Sequence, residues 1–223
     1  MGHGFVRSKK RRPTVGVSSL SEPRCVGSYL NARLVGPYCT GLPMTEESNA
    51  LAKYLEIFPS WLKSLGEDAA QLADVVKGSD PEGARKQAIA GLNYIFKSLD
   101  LIPDGIDDLG FCDDAFVLRV AADLACADHP EAKAGILGRL ADDAIHVREF
   151  LGDDYVRLEA YVKNLRKGAA RGRTVDDILG DEAARNAFLH EVTAWSRDYQ
   201  VPSFSRDVKT LIKLKAFLSA KLA

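Results

Sequence analysis

Six aspartates, Asp100, Asp104, Asp107, Asp108, Asp113 and Asp114, fall between Lys97 and Arg119 with no basic residue among them. Packed so densely they repel one another unless they meet a cation, a basic partner or open water. A hard cation such as Mg²⁺ or Ca²⁺ suits oxygen ligands alone, although the spacing is not that of an EF-hand loop. Turn chemistry accounts for part of the cluster. Pro103 ends a helix, Asp104 can accept backbone N–H groups, Gly105 and Gly110 permit positive φ, and Asp113 or Asp108 can cap the helix that follows. Capping uses two or three aspartates and leaves the others to solvent, to a basic protein partner or to a metal; the identity of any metal stays open.

A second group has the opposite sign. Lys163, Arg166, Lys167, Arg171 and Arg173 form a run with no acid between Glu159 and Asp176. The run leads into Thr174, a helix-capping residue, so it reads as an anion or acidic-partner patch or as a solvated basic loop. A third candidate is the C-terminal helix, residues 205–222. Its apolar positions Val208, Leu211, Ile212 and Leu218 are backed by Lys209, Lys213 and Lys221, a pattern that closes a bundle, docks on a partner or touches an anionic membrane surface peripherally. Other patterns dissolve on inspection. His190-Glu191 lacks the second histidine of a zinc-protease helix, since Ala194 stands in its place. Residues 168–174 are one residue short of a phosphate-binding loop and have Arg173 where lysine belongs. Asp143 and His146 make half of a bundle di-metal site without a second pair. Asp142, His146, Glu149 and Asp153 share a face that reads as solvated. With no serine, cysteine or histidine constellation, the chain leans away from an enzyme, and no cofactor is expected.

The elements that must position these residues are helices. The chain has 223 residues, 46% hydrophobic and 27% charged, with a formal net charge of −1, which suits a soluble globular protein and excludes a general attraction for nucleic acid. From residue 44 onward apolar residues recur at helical spacing and no strand alternation is sustained. Leu51, Tyr54, Leu55 and Phe58 form a first stripe that Pro59 should close; Trp61, Leu65, Ala69, Leu72 and Val76 form a second. A third helix carries Ala88, Leu92, Ile95, Phe96 and Leu99 and should run to about Ile102, before Pro103. Val117, Val120, Ala121 and Leu124 mark a fourth. Residues 137–165 make one broken helix or two around Gly152. Thr174 caps a short helix, Asp181 another with Phe188, Val192, Trp195 and Tyr199 on one face, and the C-terminal helix follows. The expected fold class is all-α, a compact bundle of roughly eight helices joined by short connections.

Residues 1–43 are a different kind of chain, with seven basic residues against one acid and half of the four cysteines. They are expected to be a disordered extension or a misassigned start ahead of Met44, the chain's second and last methionine. No apolar run approaches the roughly 20 residues that span a bilayer, and none follows the basic N-terminus as in a secretory signal. The expected location is cytoplasmic, peripherally at a membrane if the last helix binds one. Cys25, Cys39, Cys112 and Cys126 form no C-x-x-C pair and read as reduced thiols.

Residues 94–114 read Y-I-F-K-S-L-D-L-I-P-D-G-I-D-D-L-G-F-C-D-D. The segment resembles the YkvA-like family of bacterial domains of unknown function, whose signature looks like Y-x-x-x-P-[IV]-D-L-I-P-D-x-[IL]-P-x-[IL]-G-x-[IL]-D-D. Tyr94, Asp100, Leu101, Ile102, Pro103, Asp104, Ile106, Gly110, Asp113 and Asp114 fall on matching positions with the same spacing. Ser98 and Asp107 stand where the family has proline. The resemblance covers about forty residues and implies a helical hairpin around a rigid acidic turn; it brings no established activity. On this reading residues 44–128 form a YkvA-like helical domain with residues 129–223 as further helices packed on it. The function expected is a non-enzymatic protein-interaction or scaffold module with an unidentified protein partner. The alternatives are a peripheral membrane-associated protein and a divalent-cation-dependent enzyme using the aspartates of the turn. Leu101 and Ile102 should be buried, because a chain forced out of helix by Pro103 must hide its apolar side chains.

Overall fold

The computed structural model describes residues 50–97 and 100–222; the expectations for residues 1–43, for Met44 as a start and for Cys25 and Cys39 lie outside them. The fold is all-α. Helix α1 spans Tyr54–Lys77, α2 Glu82–Tyr94, α3 Cys112–Asp128, α4 Ile136–Leu151, α5 Tyr155–Leu165, α6 Val175–Gly180, α7 Glu182–Asp198 and α8 Val208–Lys221. Strand structure among the described residues is one two-residue ladder, β1 Ala169–Ala170 against β2 Arg173–Thr174. Its turn uses Arg171 at φ 49° and Gly172 at φ 76°, the paired positive values that a tight two-residue hairpin requires. None of the described helices is long and apolar enough to cross a membrane.

Helix α3 sits at the centre, flanked by α1, α2, α4 and α5. Its sequence explains the position: apolar or small residues occur all round it, and Phe116, Val117, Leu118, Val120, Ala121, Ala122 and Ala125 are all buried. A helix apolar on every side belongs in a core. Small residues let α2 approach closely, with Gly91 facing Ala121 and Leu118 so tightly that a Cβ there would meet both at 3.2 Å. An aromatic cluster of Tyr54, Phe58, Trp61, Phe116 and Phe150 fills the space between α1, α3 and α4 at ring separations of 4.9–6.1 Å.

Three boundaries differ from the sequence reading. Pro59 does not close a helix but lies inside α1. A proline in a helix interior costs roughly 3 kcal/mol, and continuing through it keeps Tyr54 and Phe58 on the same buried face as Trp61, Leu62 and Leu65. Helix α2 stops at Tyr94, well short of Ile102. There the amides of Phe96 and Lys97 close tight turns onto the carbonyls of Asn93 and Tyr94. The chain then returns, so that the Leu101 amide donates to the Tyr94 hydroxyl at 2.7 Å; a continued helix would carry Leu101 about 10 Å away along the axis. Helix α8 begins at Val208, where the Asp207 carboxylate accepts from the Lys209 amide at 2.9 Å. It buries Thr210, Leu211, Leu214 and Leu218, whereas Ile212 is 55% exposed. Leu214, not Ile212, continues the row set by Leu211 and Leu218. The break at Gly152 resolves into two helices, with Gly152 at φ 61°.

The core holds a charge network that no motif announced. Arg119, in the middle of α3, has no exposure. Its guanidinium donates to Asp68 of α1 at 3.4 Å, to Asp143 of α4 at 3.3 Å and to the Ala115 carbonyl at 3.0 Å, and lies 4.0 Å from the centre of the Trp61 ring. Asp68, equally buried, also accepts from Arg139 at 2.6 Å and from the Ser64 hydroxyl at 3.1 Å. Burial lowers the Arg119 pKa to about 10, against the pull of Asp68 and Asp143, so the group stays charged at neutral pH. Removing one member of such a buried pair leaves the other charge uncompensated. Asp68→Ala is expected to cost about 3–5 kcal/mol, read as a lower urea midpoint at an unchanged slope.

Candidate functional site

The six aspartates do not act as one group. Asp104 and Asp107 face solvent, Asp100 and Asp108 are partly covered, and Asp113 and Asp114 are buried at 0% and 3% exposure. That overturns a wholly solvated or capping turn for the last two. The N-cap position of α3 is Phe111, in a left-handed conformation at φ 62°, and no side chain caps it. Asp113 instead reaches back across the hairpin. Its Oδ2 accepts from the Tyr94 hydroxyl and from the Ile102 amide at 2.8 Å, while the same Tyr94 hydroxyl accepts from Leu101. One phenol and one carboxylate thereby hold two consecutive amides of the returning chain, and Leu101 and Ile102 are buried as expected, at 5% and 0% exposure.

The turn itself is tied by the Pro103 and Ile106 carbonyls, which accept from Ile106, Leu109 and Gly110. Asp104 contributes no side-chain cap among the described residues; its carbonyl oxygen presses on Gly110 where a Cβ would stand. Gly110 is required for space, not for positive φ. The positive values fall on Asp108 (64°) and Phe111 (62°). A bulky residue there is strained by roughly 1–2 kcal/mol, and the Phe111 ring packs edge-on to Tyr199 at 5.4 Å and against Trp195 at 6.4 Å.

Three carboxylate oxygens in this region are buried without a hydrogen-bond partner among the described residues: Asp100 Oδ1, Asp113 Oδ1 and Asp114 Oδ2. The electrostatics follow. Burial and then Asp104 push Asp100 up to about 6, with Lys97 opposing. Burial pushes Asp113 up to about 6 although Tyr94 and Ile102 donate to it. Burial, followed by the charges of Asp113, Asp104 and Asp100, pushes Asp114 well above the usual carboxylate range. Each of the three takes up a proton more readily than an exposed carboxylate does. Among the described residues no set of three or more His, Cys, Asp or Glu side chains comes together so as to hold a metal ion. Tyr94 and Lys97 border a space of only about 10 Å³ beside the hairpin.

The basic run is also divided. Arg171 and Arg173 turn to Glu191 of α7, at 3.2 and 2.6 Å. Lys163, Arg166 and Lys167 line a pocket of about 280 Å³ with Lys86 of α2 and with Val175 and Asp176 of α6. Thr174 spends its capping capacity within the chain, its hydroxyl accepting from the Asp177 amide at 3.1 Å and donating to the Asp177 carboxylate at 2.6 Å. Lys86 was missed in the sequence because it lies some eighty residues from the run and only the packing of α2 beside α5 and α6 brings it there. A larger groove, of about 620 Å³, opens between α1, the end of α4 and α8. The polar face of α4 pairs locally: Asp142 with Lys133 at 3.2 Å, Glu149 with Lys53 at 2.6 Å, and His146 beside Trp61.

Comparisons of the chain with protein-family models, with curated proteins and with solved structures each found no match.

Two variants separate the roles of the hairpin. Tyr94→Phe leaves the Leu101 amide without its acceptor and is expected to cost about 1–3 kcal/mol, measured by chemical denaturation. Asp100→Asn removes a carboxylate whose folded-state pKa is raised. The folded protein therefore holds more protons than the unfolded chain between the ordinary carboxylate range and about 6. Wild-type stability from this group is present at low pH and is lost as pH rises through about 6. The variant should gain on the wild type above pH 6 and lose that advantage on acidification, as thermal melts from pH 4.5 to 8 would register.

Proposed function

We propose that this chain is a non-catalytic helical module that binds partner proteins, and that the groove between α1, α4 and α8 is its docking surface. The observation that carries this reading is the character of that groove. Tyr54, Phe150 and Leu211 make an apolar floor, and Ile212 and Ala216 make one wall. Ile212 is among the few large apolar side chains left exposed. A volume near 620 Å³ lies within the range of ligand sites, about 300–1,000 Å³. Lys215 stands on the rim, and α8 carries Lys209, Lys213, Lys215 and Lys221 with no acid between Val208 and Lys221. None of these four lysines forms an ion pair among the described residues. The groove lining is balanced, Lys53 and Lys215 against Glu149 and Asp154, so the occupant is an amphipathic helix of a partner protein with its apolar residues in the groove and its acidic residues against the remaining lysines of α8 outside it.

The YkvA-like assignment belongs to the same proposal. It is supported by the part that Tyr94, Ile102, Gly110 and Asp113, four of the matched positions, take in one hairpin. A cytoplasmic setting is part of the proposal as well.

Full-length protein titrated with a fluorescent amphipathic peptide, leucines at helical spacing and glutamates flanking them, is expected to bind saturably. A scrambled peptide of the same composition should not. Ile212→Glu and Lys215→Glu should each weaken binding by roughly tenfold or more, the size of a desolvated interface contact, with melting unchanged. Equal binding of the scrambled peptide contradicts the reading. Sedimentation with anionic vesicles that Ile212→Glu abolishes, without peptide binding, replaces it by a membrane surface. A dimer abolished by the same substitution replaces it by a second copy of the chain.

A further inference from the structure

We propose that the pocket between α2, α5 and α6 is a binding site for a phosphate group. Four cationic side chains line it, Lys86, Lys163, Arg166 and Lys167, with one carboxylate, Asp176. They come from separate elements: Lys86 from the second turn of α2, Lys163 from the last turn of α5, Arg166 and Lys167 from the residues just past it. Arg166 and Lys167 follow Lys163 by three and four positions at the end of α5, which brings three like charges side by side. The C-terminal dipole of α5 and the Lys163–Glu159 pair offset part of that repulsion, and an anion in the concavity they surround offsets the rest.

The existing ion pairs leave the site positive. Lys86 bridges Glu82 at 2.9 Å and Asp176 at 3.4 Å, and Lys163 pairs with Glu159 at 3.2 Å. Arg166 and Lys167 make no ion pair among the described residues. With Glu82 and Glu159 counted beside Asp176, four positive groups meet three carboxylates, and the surplus charge rests on Arg166 and Lys167. Lys86 is only 25% exposed, which fixes one cation at the side of the pocket instead of leaving it to wander in solvent. Arg166 offers a planar fork of donors that matches two oxygens of one phosphate, and the lysines supply compact charges around the rest.

Backbone groups have no share in this site. Helix α6 is too short to form an N-terminal anion site, and its Thr174 and Asp177 amides are taken by the Thr174–Asp177 capping box. The α5 end facing the pocket is a C-terminus, whose dipole favours cations; it orders Arg166 and Lys167 and leaves anion binding to their side chains. At about 280 Å³ the space is at the small end of ligand sites, which suits the phosphate of a small phosphomonoester or of a lipid headgroup.

The experiment is an NMR titration of the full chain with inorganic phosphate, then glycerol phosphate, against sodium chloride at equal ionic strength. Saturable shifts at Lys86, at residues 163–168 and at Asp176 are expected with both phosphates and not with chloride. The double variant Arg166→Gln, Lys167→Gln should bind about tenfold more weakly or worse, and Arg171→Gln, whose partner is Glu191, should bind as the wild type does. Vesicles of phosphatidylcholine with and without phosphatidic acid separate the two sources of the group. Sedimentation that needs phosphatidic acid and is lost in the double variant assigns the site to a lipid headgroup. Glycerol phosphate binding without sedimentation assigns it to a soluble phosphomonoester. Shifts that chloride reproduces, or that survive in the double variant, overturn the proposal.

Discussion

A positive charge at the centre of an apolar bundle sets terms that the surrounding helices must meet. Arg119 projects from α3, which α1, α2, α4 and α5 flank, and taking its guanidinium out of water carries a penalty of several kcal/mol. Only an arrangement that brings Asp68 and Asp143 to it at once compensates that penalty. The two carboxylates come from α1 and α4, so the ion network specifies which faces of those helices turn inward and at what height along α3. Trp61 closes over the guanidinium and excludes the water that would otherwise screen the pairs. Apolar packing supplies most of the cohesion here, as in any core, but it is non-directional. The charges add direction.

The hairpin between α2 and α3 depends on that frame. Tyr94 and Asp113 meet because α2 lies along α3 with a glycine at the crossing, and their meeting fixes the two amides that follow the break. The left-handed Phe111 is held by a later contact, its ring packing under Tyr199 at the end of α7. The raised pKa values of Asp100, Asp113 and Asp114 are the residue of this construction. The backbone is satisfied, and the carboxylates beside it are left with lone pairs that no donor reaches.

Helical periodicity made most of the fold legible in the sequence, because Leu65, Leu72, Leu92, Leu140 and Leu158 fall on stripes whose period no strand could share. What periodicity misjudged were the places where tertiary contacts overrule a local signal. Pro59 says stop, and the aromatic cluster on both sides of it says continue. Pro103 marks the last residue at which α2 could end, whereas the return of Leu101 to Tyr94 ends it sooner. The candidate sites were less legible. Six aspartates in a row look alike on paper, and only the geometry separates Asp113, which faces the core, from Asp107, which faces water. Arg119 was readable only as an interruption of an apolar stretch, and Lys86 gave no signal, since its neighbours Arg166 and Lys167 are far along the chain.

The seam between α7 and α1 closes a longer span of chain than the hairpin or the buried charge network does. Ser196 donates to the Gly66 carbonyl at 2.7 Å and Tyr199 to the Leu62 carbonyl at 2.9 Å, across separations of 130 and 137 residues. The Tyr94–Asp113 contact spans 19 residues and the Asp68–Arg119 pair 51. Loop-closure entropy grows with span, if slowly, so contacts of short reach repay their cost earliest in folding. The hairpin and the α1–α3–α4 layer can therefore assemble as a nucleus before α7 arrives. Until it does, the backbone of α1 around Leu62 and Gly66 stays uncovered, and the strained Phe111 has no ring to lean on. The arrival of α7 is thus also the step that locks the turn, which couples the order of folding to the rigidity of a segment on the far side of the chain.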